Sequence, residues 1–384
     1  MITKILFFII HFQAIRWTIS WDPLNPLVLN KNGNEILFPL RVEKVDGVSK
    51  EITYVDPRDE STVTYTFCTD YSSPGGLLGK LFKEDPSRIC PHSMDYDREA
   101  IKDPKGKTVL CGNQNEQLDS GYKMYRAEVK LNIDGNTSSS LTFPLYNYCF
   151  DDQHNYSTLY AYYDLGNPSL LKNPLLSDER NHAFDPLTWP TFDQPDVDLS
   201  RYYKAQSVYI PYEVAVSKFI PFANWRKAFI QWHNIAPMNH LLQNPWEKFI
   251  EKIALKLAEK TEHITVLSGI HGMKRNGSVE FLSNSKITIP EYWWILLYNK
   301  DKTRGISLIM NNYSYAKGQH HDLLCEVSVC DKAKLQEAIP QDEESKHVAI
   351  YCCSASTLSS KVTISSDLVS ETNEVELLVF DESV

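Results

Sequence analysis

Eight cysteines constrain the fold of this chain more than any other feature, because disulfides fix which segments lie together. They form two sets of four, one before residue 150 and one after residue 324. The first set is Cys68, Cys90, Cys111 and Cys149, and the second is Cys325, Cys330, Cys352 and Cys353. We predict that pairing stays within each set. A zinc site is the weaker interpretation, since no paired CxxC elements with metal-site spacing occur.

The N-terminal residues indicate export. Lys4 lies in a short basic region, an apolar run extends from Ile5 to Ile15, and the small residue Ser20 follows. This pattern predicts a signal peptide over residues 1–20 and a secreted, extracellular protein. An apolar strand or an uncleaved anchor are the alternatives, although the run is too short to span a bilayer. Four sequons would accept glycans in that compartment, at Asn136, Asn155, Asn276 and Asn312.

Charge argues against a protein that is basic all over. The net charge is −10, and removing Lys4 and Arg16 with the leader leaves 37 basic against 49 acidic residues, or −12. Residues 201–260 differ, with nine basic against four acidic residues. This window is either the solvated face of a lysine-rich helix or a surface for phosphate groups.

The local pattern predicts an α+β protein. Residues 21–147 are rich in Thr, Val, Tyr and Pro and predict short strands joined by long loops. Asn244, Pro245 and Glu247 have the order of an N-cap, a first-turn proline and an N3 glutamate, and an apolar stripe at helical spacing follows. We therefore expect a helix over residues 245–260. Three strand-like runs come next, at residues 263–267, 292–298 and 306–310.

Several segments, taken in order, resemble the DNA/RNA non-specific endonucleases. They are Asn234-Ile-Ala-Pro-Met, Asn244-Pro-Trp-Glu-Lys-Phe-Ile-Glu, Ile264-Thr-Val-Leu-Ser-Gly-Ile-His-Gly, Ile289-Pro-Glu-Tyr-Trp-Trp and Asn311-Asn312. The tail, with Tyr351-Cys-Cys, is similar to that of secreted insect members. The resemblance implies a ββα-metal core with a central antiparallel or mixed sheet and flanking helices. We accordingly expect a β-rich N-terminal extension over residues 21–147 and an endonuclease-like domain with a disulfide-bearing tail over 148–384.

In that family, the histidine of an Asp-Arg-Gly-His motif activates water, and a helix-borne Asn and Glu hold one hydrated Mg²⁺ ion. At the corresponding place this chain reads Ser200-Arg-Tyr-Tyr-Lys-Ala-Gln-Ser-Val-Tyr-Ile-Pro, without a histidine. Gln206 or Ser207 falls where the general base belongs, and neither accepts a proton readily near neutral pH. We therefore predict no catalytic residue in this degenerate motif. His233 and His240 are the nearest substitutes, and structural roles suit them better.

The resemblance implies Asn244 and Glu251 as the Mg²⁺ ligands. They are seven positions apart, so both lie on the same face of a helix. One alignment places the family's acid on Ile250 instead, and another places its amide on Gln243. Asn244 is thus either a helix cap or an ion ligand, and Mg²⁺ is a cofactor only if this site survives.

Binding requires less than cutting, because phosphate contacts from Arg and Lys are independent of base sequence and tolerate changes in geometry. The residues that we expect to contact nucleic acid are Arg180, Arg201, Lys204, Arg226, Lys227 and Asn234. We expect a secreted binder of DNA and RNA with little or no hydrolysis. Two alternatives stay open: an active Mg²⁺-dependent endonuclease with a relocated base, and a nuclease scaffold reused to bind proteins or small ligands.

Overall fold

The computed structural model describes the chain in several stretches. They are residues 40–45, 49–54, 93–111, 122–132, 140–151, 157–166, 208–220, 229, 231–260, 263–272, 274–275, 278–279, 281–282, 285, 287–313, 323–342, 348–370 and 375–380. The expected signal peptide and the cysteines Cys68 and Cys90 lie outside them. The chain divides into two compact units, Met1–Cys90 and Pro91–Val384. In the first unit, strands β1 (Leu40–Val45) and β2 (Ser49–Tyr54) form an antiparallel pair.

The second unit is built on one large sheet. Its elements in chain order are β3 (Ser93–Ala100), β4 (Tyr122–Asn132), β5 (Ser140–Asp151), β6 (Ser157–Gly166), β7 (Tyr209–Glu213), β8 (Ile235–Asn239), helix α1 (His240–Ala258), β9 (Ile264–His271), β10 (Lys274–Arg275), β11 (Ser278–Val279), β12 (Tyr292–Asn299), β13 (Arg304–Asn311), β14 (Ile350–Ser354), helix α2 (Ala355–Ser359) and β15 (Glu376–Leu377). The sheet has the strand order β14-β13-β12-β9-β6-β5-β4-β3. Neighbours on this path are antiparallel, and β15 adds a short parallel pairing with β13.

This architecture confirms the predicted α+β class, with a mostly antiparallel sheet and few helices among the described residues. The strand-like runs predicted after the helix are confirmed as β9, β12 and β13. The sequence placed a domain boundary between residues 147 and 148, and that point falls inside β5. The sheet therefore continues from the expected N-terminal region into the expected endonuclease-like domain.

Strand β12 lies inside the sheet and is covered on both faces. All eight of its side chains are buried, which explains why the sequence reads as a continuous apolar run rather than an alternating one. On one face, Trp294 and Leu296 belong to a core cluster that includes Leu358 of α2. On the other face, Trp293 meets the ring of Tyr212 from β7 edge to face, with centroids 5.5 Å apart.

Helix α1 begins earlier than the sequence predicts. Its N-cap is Asn239, whose side chain accepts a hydrogen bond from the backbone N–H of Leu241, and Pro245 lies inside the helix. The N-cap interpretation of Asn244 is therefore wrong: both asparagines carry the cap signature, and the end of β8 at Asn239 decides between them. The predicted apolar stripe is confirmed, with Trp246, Phe249, Ile250, Ile253 and Leu257 all buried. Of the helices in the described ranges, none is long and apolar enough to cross a membrane.

Three disulfides join cysteines within the predicted sets. Cys111 pairs with Cys149 of β5, which links the segment before β4 to a strand that neighbours β4 in the sheet. The adjacent cysteines of β14 pair with two points of the preceding segment, Cys325–Cys353 and Cys330–Cys352. Pairing within each set is thus confirmed for these six residues.

Candidate functional site

The segment that carries the resemblance forms a strand–strand–helix unit made of β7, β8 and α1. Strand β7 pairs antiparallel with β8, so that Tyr209 lies opposite Asn239 and Glu213 lies opposite Ile235. Strand β8 leads directly into α1, which begins at His240. This unit is the candidate functional site, because the residues implied for catalysis and ion binding lie on it or beside it in the chain.

Asn312 fastens this unit to the sheet. Its Oδ1 accepts a hydrogen bond from the backbone N–H of Asn239 at 2.9 Å, and its Nδ2 donates to the carbonyls of Pro237 at 3.0 Å and Pro290 at 2.9 Å. The side chain is fully buried. A glycan at this sequon does not fit the folded arrangement, because a glycan is a bulky surface group and its amide nitrogen donates two hydrogen bonds inside the core.

Asn234 has a structural role on the same unit. Its Oδ1 accepts from the backbone N–H of Ala215 at 2.7 Å, and its Nδ2 donates to the carbonyls of Ala215 at 3.1 Å and Phe229 at 2.8 Å. The residue is fully buried. Its amide holds the segment after β7 against the start of β8. The side chain has no exposed surface, so it cannot make the direct contact with nucleic acid that we expected.

His233, one of the two substitutes for the missing base, is a buried structural residue. Its ring stacks on Tyr148 with centroids 4.5 Å apart, and its Nε2 lies 3.3 Å from the hydroxyl of Tyr146. Burial lowers the pKa of His233 to about 3, and the charge of Arg98 acts in the same direction. The imidazole is therefore neutral near pH 7 and shielded from solvent, as the sequence analysis favoured.

His240, the other substitute, is exposed at the first position of α1. Its Nδ1 lies 3.0 Å from the carbonyl oxygen of Val208. A carbonyl only accepts, so Nδ1 carries the hydrogen and Nε2 of the neutral ring keeps a lone pair. Val208 directly follows Gln206 and Ser207 in the chain. An imidazole of fixed tautomer therefore lies beside the degenerate motif.

Lys218 and Glu251 form an ion pair across the unit. Lys218 lies on the 3-10 helix Ser217–Phe219 after β7, and its Nζ donates to Oε1 of Glu251 on α1 at 3.1 Å. The lysine side chain is 11% exposed and the glutamate side chain 40%. The carboxylate that the resemblance implied as an ion ligand is thus neutralised by an ammonium group of the same chain.

Glu213, at the end of β7, adds a buried carboxyl to this region. Its Oε1 accepts from the backbone N–H of Ser217 at 3.0 Å and from the Ser217 hydroxyl at 2.8 Å. Burial raises the pKa of Glu213 to about 7, although the two hydrogen bonds from Ser217 and the nearby charge of Lys218 act in the opposite direction. The carboxyl therefore changes its protonation near neutral pH.

The other residues implied for an ion site lie at separate points along the helix. Asn244 is exposed, and it lies about 10 Å from Glu251 along the helix axis at 1.5 Å per residue. Gln243, the alternative amide, donates to Glu247 at 2.8 Å, and Ile250, the alternative acid position, is apolar and fully buried. Oε1 of Glu251 is already paired with the ammonium group of Lys218. Within the described ranges, no three His, Cys, Asp or Glu side chains come together as a metal site would require.

Two lysines of α1 and one lysine just after it contact the C-terminal segment. Lys248 donates to Asp342 at 2.6 Å, Lys252 to the carbonyl of Glu337 at 3.1 Å, and Lys260 to the carbonyl of Val379 at 2.5 Å. Part of the positive window in the sequence is therefore explained by contacts that attach the tail to the helix.

The other predicted site residues lie outside the described residues. They are Arg180, Arg201, Lys204, Gln206, Ser207, Arg226 and Lys227. Their roles stay predictions. Sequence reasoning missed Lys218, Glu213 and Asn312, since a lysine, a glutamate and a sequon asparagine carry no local pattern that reveals partners distant in the chain.

Residues Pro91–Val384 form an α+β structure on a mostly antiparallel sheet with three disulfides. The candidate site within it is the strand–strand–helix unit of β7, β8 and α1. Comparison of the chain with models of protein families and with curated proteins finds no match.

Proposed function

We propose that this chain is a secreted protein that binds DNA and RNA without base specificity, is derived from a non-specific endonuclease, and has little or no capacity for hydrolysis. The observation that carries the proposal is the strand–strand–helix unit, which is formed by the segment that resembles the family. The position on this unit where the family has its metal-binding acid holds either Ile250, which is buried, or Glu251, which is paired with Lys218. The three disulfides support export, since disulfides persist in oxidising compartments.

The proposed phosphate contacts are the basic residues next to the unit in the chain. Arg201 and Lys204 precede β7, and Arg226 and Lys227 lie in the connection between β7 and β8. Each contact of this kind releases counterions from the nucleic acid, so affinity falls as salt rises and does not depend on base sequence. The −12 charge expected of the mature chain makes binding depend on this local cluster rather than on overall attraction.

Hydrolysis requires more than attraction for phosphate. A phosphodiester needs a positioned base for the attacking water and a divalent ion to offset charge on the phosphate. The motif that should supply the base has Gln206 and Ser207, and the expected ligand Glu251 is paired with Lys218. Loss of the general base alone lowers the rate by about 10²–10⁴-fold.

Fluorescence anisotropy with labelled DNA and RNA of unrelated sequences, over a salt series, tests the binding. The change of Arg201 and Lys204 to Ala should weaken binding on every sequence and reduce the salt slope by about 0.9 per lost phosphate contact on duplex DNA. The matched control changes Lys248 and Lys252 to Ala, which removes equal charge from residues that contact the tail. Equal affinity of the Arg201 and Lys204 variant and the unaltered protein would place the interface elsewhere.

If the protein does not bind at low salt, or if its affinity does not change with salt, nucleic acid is not its partner. The third interpretation, a scaffold reused for protein or small-ligand binding, would then take the place of this proposal.

A second candidate function is favoured by His240. Its Nδ1 contact with Val208 leaves Nε2 as an acceptor on an exposed ring, which is the arrangement that a general base needs. In this alternative the chain is an active Mg²⁺-dependent endonuclease with a relocated base. Plasmid digestion with Mg²⁺ decides: cutting that chelation stops and that His240→Gln lowers by at least about 10²-fold would establish the enzyme.

A further inference from the structure

A hairpin over residues 101–110 follows β3 and carries three lysines. A bridge between Lys102 and Thr108 joins its two arms. Both arms are fastened to β4, because a backbone group on each arm hydrogen-bonds to Met124 at 2.9 Å. The disulfide of Cys111 ties the end of the second arm to β5. The hairpin is therefore a firmly attached extension of the sheet.

This hairpin concentrates positive charge on a chain whose net charge is −10. Residues 101–110 contain three lysines and one acid, and Lys102, Lys105 and Lys107 are exposed. Oδ1 of the acid, Asp103, accepts from the backbone N–H groups of Lys105 at 2.9 Å and Lys107 at 2.8 Å, and so shapes the turn. In the part of the chain that the structure describes, none of the three ammonium groups forms a salt bridge. Their charges are therefore available to a partner.

The lysines lie on both faces of this two-stranded ribbon. Successive side chains of an extended strand alternate between its faces, and Ile101 and Val109 pack against the core. Lys102 is next to Ile101 and so lies on the opposite face. Lys107 is two residues before Val109 and so lies on the same face as the core but outside it, and Lys105 lies in the turn. A flat anionic membrane would meet one face of such a ribbon, whereas a duplex groove has phosphates on both sides.

The hairpin lies at the same end of the sheet as the start of α1. At this end β4 begins beside the end of β5, and the antiparallel order continues through β6, β9 and β12 to the end of β13. Asn312 follows β13 and holds Asn239, the N-cap of α1. From β4 to β13 there are five steps in the sheet, or about 24 Å at about 4.8 Å per step. One turn of a B-form duplex, about 34 Å long, reaches both places.

We propose that this hairpin is a second contact for nucleic acid, which enters the major groove of duplex DNA and meets the phosphates on both sides with its lysines. That groove is about 12 Å wide and admits a two-stranded ribbon, whereas the major groove of A-form RNA is narrow and deep. The hairpin therefore adds affinity for duplex DNA over double-stranded RNA without reading base sequence. The inference rests on the proposed function and names the form of nucleic acid that this surface takes.

The test changes Lys102, Lys105 and Lys107 together to Gln and measures anisotropy on labelled duplex DNA and double-stranded RNA over a salt series. The three side chains are exposed, so the variant should unfold in urea as the unaltered protein does. On duplex DNA, the factor by which affinity drops between about 50 and 200 mM salt should shrink about 3.5-fold for each lost contact. On double-stranded RNA, the variant should match the unaltered protein.

The matched control changes three exposed lysines elsewhere to Gln, at Lys300, Lys332 and Lys361, and so removes the same charge. It should keep the salt dependence of the unaltered protein on duplex DNA. Equal salt dependence of the hairpin variant and this control would overturn the inference, while binding by the unaltered protein would leave the proposed function standing. No binding by the unaltered protein at low salt would overturn both.

Two further results would contradict the assignment to a DNA groove. One is a loss on double-stranded RNA as large as the loss on duplex DNA. The other is a hairpin variant that keeps its affinity for DNA and loses affinity for vesicles of phosphatidylserine and phosphatidylcholine, which would make a lipid surface the partner.

Discussion

The Oδ1 atom of Asn312 accepts a hydrogen bond from the backbone N–H of Asn239, a residue 73 positions earlier in the chain. Asn239 ends β8 and caps α1, so this single contact holds the start of the helix to the sheet. The amide of Asn312 also donates to the backbone carbonyls of Pro237 and Pro290. One buried side chain therefore positions the strand–strand–helix unit.

The change of Asn312 to Ala should lower the free energy of unfolding by about 3 kcal/mol, because it leaves buried backbone groups without partners at about 1–3 kcal/mol each. Urea unfolding measures the change. Asn244→Ala, the same substitution at an exposed position of α1, is the control and should shift stability by no more than about 0.5 kcal/mol. Similar values for the two variants would contradict the role assigned to Asn312.

The sequon at Asn312 should carry no glycan when the protein is produced in a secretory eukaryotic cell. The amide nitrogen that would be modified donates two hydrogen bonds inside the core. Enzymatic removal of glycans in heavy-oxygen water, followed by peptide mass spectrometry, marks each formerly modified asparagine. A heavy-oxygen label at Asn312 in correctly folded protein would refute the prediction.

Periodicity predicted the stripe of α1 because burial of one helical face repeats every few residues, and it predicted β9, β12 and β13 because their runs are apolar. It did not locate the start of α1, since both Asn239 and Asn244 satisfy the cap signature. The boundary expected between residues 147 and 148 falls inside β5, whose pairing depends on strands distant in the chain. The partners of Lys218 and Asn312 depend on the folded topology, which no local spacing encodes.

Glu213 should make the protein less stable as the pH rises toward neutrality. Burial raises its pKa from 4.5 to about 7, so between these values the folded protein keeps a proton that the unfolded chain releases. Stability from this group is complete below pH 4.5 and is lost as the pH rises through 7, with a slope of up to about 1.4 kcal/mol per pH unit. Glu213→Gln should remove that slope in unfolding measured across this range.

The control for that measurement is Ser217→Ala, which removes one hydrogen bond to Glu213 and keeps the titrating carboxyl. It should retain the slope. A Glu213→Gln profile parallel to that of the unaltered protein would show that this carboxyl does not hold its proton near neutral pH.

His233 should act on stability in the opposite direction. Burial lowers its pKa from 6.5 to about 3, so below pH 6.5 the unfolded chain takes up a proton that the folded protein excludes. Stability from this group is present above pH 6.5 and is lost as the pH falls toward 3. His233→Phe keeps an aromatic ring against Tyr148 and should flatten the acid side of the stability profile.

Tyr146→Phe serves as its control, because it removes the hydroxyl near His233 and keeps the imidazole. Its profile should decline in acid as the unaltered protein does. Acid sensitivity that persists unchanged in His233→Phe would assign the effect to other groups.

The central claim is that attraction for phosphate persists in this protein while hydrolysis does not. One sample of purified protein with labelled duplex DNA and double-stranded RNA, in Mg²⁺ and in EDTA, tests it by anisotropy first and by gel electrophoresis of the recovered nucleic acid afterwards. We predict binding that weakens as salt rises both in Mg²⁺ and in EDTA, and nucleic acid of unchanged length in both. Fragments that accumulate in Mg²⁺ and not in EDTA would contradict the account.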